Sequence, residues 1–346
     1  MYFAVSDAVA DGRVFFARAY FYIPSVPDAD LAILAFGSKG GGTDEISIRL
    51  TTSMQLQMYD EFNGVQLGTI SSPVLTNTWL RLELKADYTV DTAVVSEAKV
   101  DGNTFATGTS NQGRGAANLT FGFVTTGGSH TYALYVDDVA INDNTGTVQN
   151  SWPGDGSIVH LQPNAAGDNN AWTRGGTDSG ANWSQENEVT PNDDTNYVSS
   201  NTAGQIDDYN LTNTPASIGN GQTINVVQVG ARLAGAGASA NASFVTRLKA
   251  SSGGTVSESS AITPAGTSWT TNAAADPFVY PLTSSTQPGT GTAWTKATLD
   301  TAQVGIRLSG AATNAAQVST LWLLVDSSPL LINEQGIEIQ GVKIIG

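Results

Sequence analysis

Residues 78–84 read Thr-Trp-Leu-Arg-Leu-Glu-Leu, the cleanest alternation of apolar and polar side chains in the chain. A period of two puts one set of side chains on each face of an extended strand, so such a segment builds a half-buried sheet. Residues 45–50 and 54–58 repeat the pattern. Residues 13–23 are dense in aromatic and branched residues and stop at Pro24, as a strand does. Further strands are expected at 31–36, 93–100, 119–124 and 132–141, the last interrupted by Asp137-Asp138. Asn63-Gly64 and Asp101-Gly102-Asn103 are hairpin turns. No segment carries a 3.6-residue period, so the fold class is all-β, and strands at this spacing make a sandwich.

The turn formers at 142–146 close this first domain, expected to span 1–146. Ser151-Trp152-Pro153-Gly154-Asp155-Gly156 then reads as the entrance to a second β-sandwich domain over 147–328. Residues 151–220 are poor in apolar residues, rich in Gly, Asn and Asp, and carry Trp152, Trp172 and Trp183. They are expected to form long ordered loops held by buried aromatics, because disordered chains are poor in such residues. Strands resume at 223–233, 242–250, 277–282, 294–297, 302–308 and 319–325. The Pro-bounded 277–282 reads as an edge strand. Gln228-Val229-Gly230-Ala231-Arg232-Leu233 is echoed by Gln303-Val304-Gly305-Ile306-Arg307-Leu308, two equivalent strands of one sandwich. Residues 329–346 are an apolar C-terminal arm that adds a strand to a neighbouring subunit or returns to its own sandwich.

The chain has 346 residues, room for two cored domains. Only 13% are charged, about half the usual share, so Ser, Thr, Asn, Gln and Gly cover the surface. The formal net charge of −16 opposes binding to nucleic acid or anionic membranes. There are no cysteines, hence no disulfides and no thiolate chemistry. Residues 1–7 show no signal-peptide pattern, and no stretch has the length of a transmembrane helix.

The order of features resembles a laminin-G-like or concanavalin-like jelly roll. The carriers are 79–84, the Val-Asp-Gly-Asn turn at 100–103, Leu-Thr-Phe-Gly at 119–122 and Tyr-Val-Asp-Asp-Val-Ala-Ile at 135–141. That resemblance implies a tryptophan at a sheet rim and a closing strand beside the first. Residues 147–328 look like a domain of tailed-bacteriophage structural proteins that follows a laminin-G-like domain. The likeness rests on 151–154, Asp193-Asp194-Thr195-Asn196-Tyr197-Val198, the echoed strand and 322–326. It implies a virion structural protein at the particle surface, in a minor tail or fibre position or decorating the capsid. Its partners would be other virion proteins and its own copies, a trimer suiting tails and capsid vertices, with host-surface glycan as an adhesion target. The alternative is a secreted bacterial carbohydrate-binding or glycan-cleaving protein.

Catalytic patterns are lacking. His130 and His160 have no nucleophile near them in sequence, and there is no GxSxG, HExxH or phosphate loop. A glycosidase needs two carboxylates about 5–10 Å apart. Glu83 stands alone on its strand, and Glu186 and Glu188 lie in an expected loop. The chain is therefore expected not to be an enzyme. Calcium is the one cofactor considered, with Asp137, Asp138 and Asp143 as ligands, because hard oxygen donors suit it. Plain turn and strand chemistry competes with that reading, and one of Asp137 and Asp138 is expected to hydrogen-bond within the sheet edge. For glycan contact, Tyr59, Phe62, Trp172, Trp183 and Trp269 are the loop aromatics; burial as anchors is the competing role for each.

Overall fold

In the computed structural model, residues 2–4, 12–38, 44–90, 92–111, 116–124, 133–177, 179–188, 191–269 and 278–329 are described. The first eleven strands are β1 (Tyr2–Ala4), β2 (Val14–Tyr22), β3 (Leu31–Ser38), β4 (Asp44–Leu50), β5 (Leu56–Asp60), β6 (Val65–Ile70), β7 (Trp79–Asp87), β8 (Val94–Val100), β9 (Asn103–Ser110), β10 (Ala116–Val124) and β11 (Tyr135–Asp143). They form two antiparallel sheets, ordered β1-β10-β3-β4-β5-β6 and β11-β2-β7-β8-β9. This is a jelly-roll sandwich, and the closing strand β11 does lie beside β2.

Alternation in β2 and β7 sets the layers. Phe15, Ala17, Ala19 and Phe21 of β2 and Leu80, Leu82, Leu84 and Ala86 of β7 face the core. They pack against Ile46, Ile48 and Leu50 of β4 and Leu56 and Met58 of β5. Strand β5 starts later than the alternation from residue 54 indicates. Met54 has φ +58° and belongs to the turn after β4, though its side chain is still buried. At the β8–β9 hairpin, Asp101 and Gly102 both have positive φ, the condition of a tight two-residue turn that matches strand twist. Strand β9 itself has no sequence expectation. Its Thr, Ala and Gly residues lack bulk, and its register comes from β8.

Strands β6 and β9 close one side of the sandwich. A Cβ on Gly68 would sit 2.5 Å from the Thr107 carbonyl oxygen, and one on Gly108 would sit 2.8 Å from the Leu67 Cβ. The Thr69 hydroxyl donates to the Phe105 carbonyl across the same gap.

The remaining strands are β12 (Ser157–Leu161), β13 (Pro163–Asn170), β14 (Thr173–Gly176), β15 (Asn196–Ser200), β16 (Ile206–Leu211), β17 (Thr223–Gly235), β18 (Ser243–Lys249), β19 (Val256–Glu258), β20 (Val279–Ser284), β21 (Gln303–Gly310) and β22 (Ala316–Ser328). One sheet runs β14-β15-β22-β17-β20, with β12 also paired to β22, and the other runs β13-β16-β21-β18-β19. This is a second β-sandwich with its own core, built on Val227, Val229, Phe244, Val304, Ile306, Leu321 and Leu323.

The expectation of long loops over 151–220 is corrected, because β12 to β16 all fall there. Their small and polar residues conceal the period: β13 reads Pro-Asn-Ala-Ala-Gly-Asp-Asn-Asn and is held by its register with β16. Residues 294–297 are also not a strand. Thr295 caps a single helical turn, α1 (Lys296–Leu299), through a reciprocal bond with Thr298, and Trp294 is buried. Strand β20, with Pro281 inside it, is an edge, as its prolines indicate. The echoed segments lie in opposite sheets of one sandwich, in β17 and β21. In each, Val, Ala or Ile, and Leu point inward, while the arginine pairs with an acid, Arg232 with Asp193 and Arg307 with Glu258.

The division between the two compact units, Met1–Gly156 and Ser157–Gly346, falls later than the expected seam at 146/147. Residues 151–156 belong with the first unit, for reasons given below. The expected arm at 329–346 lies outside the described residues apart from Pro329.

Gly64 and Gly68 both have positive φ, but a Cβ on Gly64 would meet nothing within 4 Å. Gly68→Ala is therefore expected to lower stability by about 1–3 kcal/mol more than Gly64→Ala, the added cost of overpacking. Scanning calorimetry of the two variants measures the difference, and equal losses would show that the β6–β9 approach does not constrain the fold.

Candidate functional site

The outward face of the β11-β2-β7 sheet carries the most organised chemistry of the first unit. The residues of β2 outside the core cluster are Val14, Phe16, Arg18, Tyr20 and Tyr22, and those of β7 are Trp79, Arg81, Glu83, Lys85 and Asp87. In register, Arg18 lies opposite Glu83, Tyr20 opposite Arg81 and Tyr22 opposite Trp79. Strand β11 adds Tyr135 opposite Tyr22 and Asp137 opposite Tyr20.

Arg18 is fully buried and Glu83 nearly so, although both sit on the side of the sheet away from the core. Residues 151–156 cover them. Gly154 donates its N–H to the Glu83 carboxylate (2.9 Å), and its carbonyl accepts from Arg18 Nη1 (3.4 Å). Trp152 packs edge-on to Phe16 at 5.4 Å, and the Lys99 ammonium lies 3.8 Å over its ring. Asp155 accepts from the Tyr20 hydroxyl and lies 3.2 Å from Arg81 Nη1. Burial together with the Asp155 bond raises the Tyr20 phenol above its ordinary pKa. This strap makes charge burial tolerable and ties 151–156 to the first unit.

The strap leaves the far end of the face open. Tyr135, Tyr22 and Trp79 stand side by side on three adjacent strands, with ring centroids 5.9 and 5.6 Å apart. Trp79 is 47% exposed and Tyr135 57%. The Tyr22 hydroxyl donates to Asn77 Oδ1 at 3.2 Å, which holds the middle ring in place. Trp79 also walls a cleft of about 410 Å³, with Leu75, Val74 and Phe105 as apolar lining and Thr78, Asp101, Asn103 and Thr104 as polar lining.

The aromatics singled out in sequence do not form this row. Trp172 is buried, with Nε1 donating to the Gln205 carbonyl, and Trp269 is buried with Nε1 on Asp194. Neither presents a face to a ligand, which corrects their place as glycan contacts. Trp183 packs against the second core from a 3-10 turn (Asn182–Gln185). Tyr59 is covered by the Arg49 guanidinium 3.5 Å above its ring, and Phe62 is exposed on the hairpin after β5. Parity was the usable signal. Tyr20 and Tyr22 share the face of Arg18, and Trp79 shares that of Arg81 and Glu83, so alternation puts these aromatics on the side of their strands away from the core residues.

The acids proposed for calcium have other roles. A bulge sets two residues of β11 against one of β2, and Asp138 takes φ +50° there. Asp137 Oδ1 accepts the Asp138 N–H at 2.8 Å, and the Asp138 carbonyl accepts from Arg18 Nε at 3.1 Å. Asp143 lies six residues further along β11, roughly 20 Å away at strand rise. It pairs with Arg13 and accepts from Thr145, and these partners lower its pKa against the opposing effect of burial. Among the described residues, no group of three or more acid or histidine side chains could hold a metal ion. His130 lies outside the described residues, and His160 packs on Trp322.

A second cluster lies inside the second unit. Asp207 accepts from the N–H groups of Ala171 (2.5 Å) and Trp172 (2.8 Å), from Asn182 Nδ2 (2.7 Å) and from the Tyr209 hydroxyl (2.8 Å). Tyr209 also lies 3.1 Å from Glu186 Oε1. Burial, and then repulsion by Asp207, pushes the Glu186 carboxyl well above its ordinary pKa. Burial raises Asp207 too, but its four donors oppose the shift. The cluster is closed to solvent, so it acts on stability and not on a substrate.

No protein-family model and no curated protein matches the chain. Solved structures do. A mutant of Trypanosoma rangeli sialidase displaying trans-sialidase activity is 15% identical over 38% of this chain, with a TM-score of 0.31. This chain spans 20% of that one. A tetrameric galectin from the ball sponge Cinachyrella sp. is 9% identical, with 41% of this chain and 97% of that chain covered and a TM-score of 0.30. The botulinum neurotoxin serotype D/C VPI 5993 binding domain is 10% identical, with 60% and 64% covered and a TM-score of 0.28.

A carboxyl whose pKa is higher in the folded state adds stability at low pH, and that stability is lost as pH rises towards the folded value. For Glu186 the loss starts near the unfolded carboxyl value of about 4 and has a slope of at most about 1.4 kcal/mol per pH unit. Glu186→Gln removes this titration. The variant is expected to gain in melting temperature relative to the parent between pH 5 and pH 8. Parallel curves for the two proteins would show that Glu186 is not neutral in the fold.

Proposed function

We propose that the first unit is a non-enzymatic glycan-binding module, and that the chain is a bacteriophage virion surface protein, of tail, fibre or capsid-decoration type. The in-register row Tyr135–Tyr22–Trp79 carries the binding reading. The exposed rings of Trp79 and Tyr135, braced by Tyr22 between them, offer apolar surface for the C–H groups of sugar rings at little entropic cost. The adjoining cleft supplies polar partners for hydroxyls. Asp101 is the one carboxylate among its lining residues, and it already accepts the Arg81 N–H at 2.9 Å. Glycoside hydrolysis canonically uses two carboxylates flanking the scissile bond, and the cleft lining holds one, so this lining favours holding a sugar over cleaving it. The virion assignment is supported by the paired resemblances across residue 146 and by the polar, weakly charged surface. In it, the second sandwich serves assembly with other virion proteins and with copies of this chain.

Trp79→Ala and Tyr135→Ala should each weaken glycan binding by at least about tenfold, because these rings are exposed and carry little of the core. Glycan-array binding, with melting temperature as a folding control, tests this. Retained binding in both folded variants would sink the platform. Antibody labelling of purified particles tests the virion assignment, and a chain found only free in the medium would overturn it.

A further inference from the structure

The charges around the aromatic row select among glycans, an inference that rests on the glycan-binding reading above. We propose that the row takes pyranose rings bearing hydroxyl or amino groups and excludes glycans bearing carboxylate, sulfate or phosphate groups. Two independent features point the same way.

The first is the set of ionised groups on this end of the face. Asp137 lies two residues beyond Tyr135 on the same side of β11 and is exposed. Asp155 is 63% exposed at its side chain, and Asp101 is exposed at the mouth of the cleft. The cation among them, Arg81, has only 12% of its side chain exposed. Its Nε lies 3.2 Å from Glu83 Oε2 and its Nη1 3.2 Å from Asp155 Oδ1. An acidic sugar would meet three carboxylates and an arginine whose charge is already matched. Hydroxyl and ammonium groups would instead donate charge-assisted hydrogen bonds to the same acids.

The second feature is the rings themselves. The face of an aromatic ring carries the negative part of its quadrupole, so it attracts C–H and N–H⁺ groups and repels anions. The ring centroids are 5.6 and 5.9 Å apart and the rings are tilted by 51° and 68° to one another, so Tyr22 is packed between its neighbours and a ligand meets the exposed parts of Trp79 and Tyr135. The cleft beside Trp79 then receives an end ring.

The test uses the full chain on an array of neutral, amino-bearing and acidic bacterial glycans, at low and high salt. At least one neutral or amino-bearing probe should bind and lose at least tenfold in Trp79→Ala. Acidic probes should not bind the parent, and Asp137→Asn should raise their signal. Trp79-dependent binding of acidic probes as strong as that of neutral ones overturns the exclusion while leaving the glycan reading intact. Absence of any Trp79-dependent binding overturns both.

Discussion

Two opposite charges buried on the outer side of a sheet set the terms for the first unit. Arg18 and Glu83 face each other across β2 and β7, where alternation would ordinarily leave them in water. Removing either ion from solvent is costly unless its hydrogen bonds are replaced. Part of the replacement comes from main chain, the N–H and C=O of Gly154 and the carbonyl of Asp138, and part from the Arg81 guanidinium 3.2 Å from Glu83 Oε2. Gly154 and Asp138 both sit in positive-φ conformations, which turn their peptide groups toward the sheet. The bulge in β11 and the strap at 151–156 are thus one solution to one electrostatic problem.

The second unit meets a similar problem with side chains. Lys249 and Arg247 are buried on the outer side of β18, and Asp208 lies between them, 2.7 Å from the Lys249 ammonium and 3.0 Å from Arg247 Nε. Asp168 completes the cage, its pKa lowered by Lys249, Ser252, the Gly253 N–H and Gln303 against the effect of burial. Gly305 stands where any Cβ would collide with the Asp208 carboxylate and the Asp207 carbonyl. Its counterpart in the echoed strand, Gly230, makes room for the Trp322 ring. The repeated glycine therefore serves one purpose twice: it lets a bulky or charged group lie flat on a sheet.

The open aromatic face follows from where the strap stops. Phe16 and Trp152 close one end, while Tyr135 and Trp79 remain exposed at the other with Tyr22 half-buried between them. Rings on neighbouring strands of a well-hydrogen-bonded sheet lose little freedom on meeting a ligand, which is the condition for useful stacking energy. The same sheet thus buries ions at one stretch and leaves aromatics exposed at another, the two being separated by a few residues along each strand.

Local chemistry alone was enough to read the all-β class, the strict strand at 79–84, the turns at Asn63-Gly64 and Asp101-Gly102, and the edge position of β20. Each depends on side-chain period, φ preference or a missing N–H, properties carried by a residue and its immediate neighbours. Strands β9 and β13 were hidden because their small polar residues have no period and are placed by their partners' registers. Residues 151–156 read as an entrance to the second domain, yet their bonds go to Arg18, Glu83 and Tyr20. Trp172 and Trp269 read as loop aromatics and are interior, while Tyr22, Trp79 and Tyr135 read as strand residues and form the open row. Alternation could put these three rings on one side of their strands. Which side of the sheet was covered, and by what, awaited contacts between segments far apart in the chain, and no local preference encodes those.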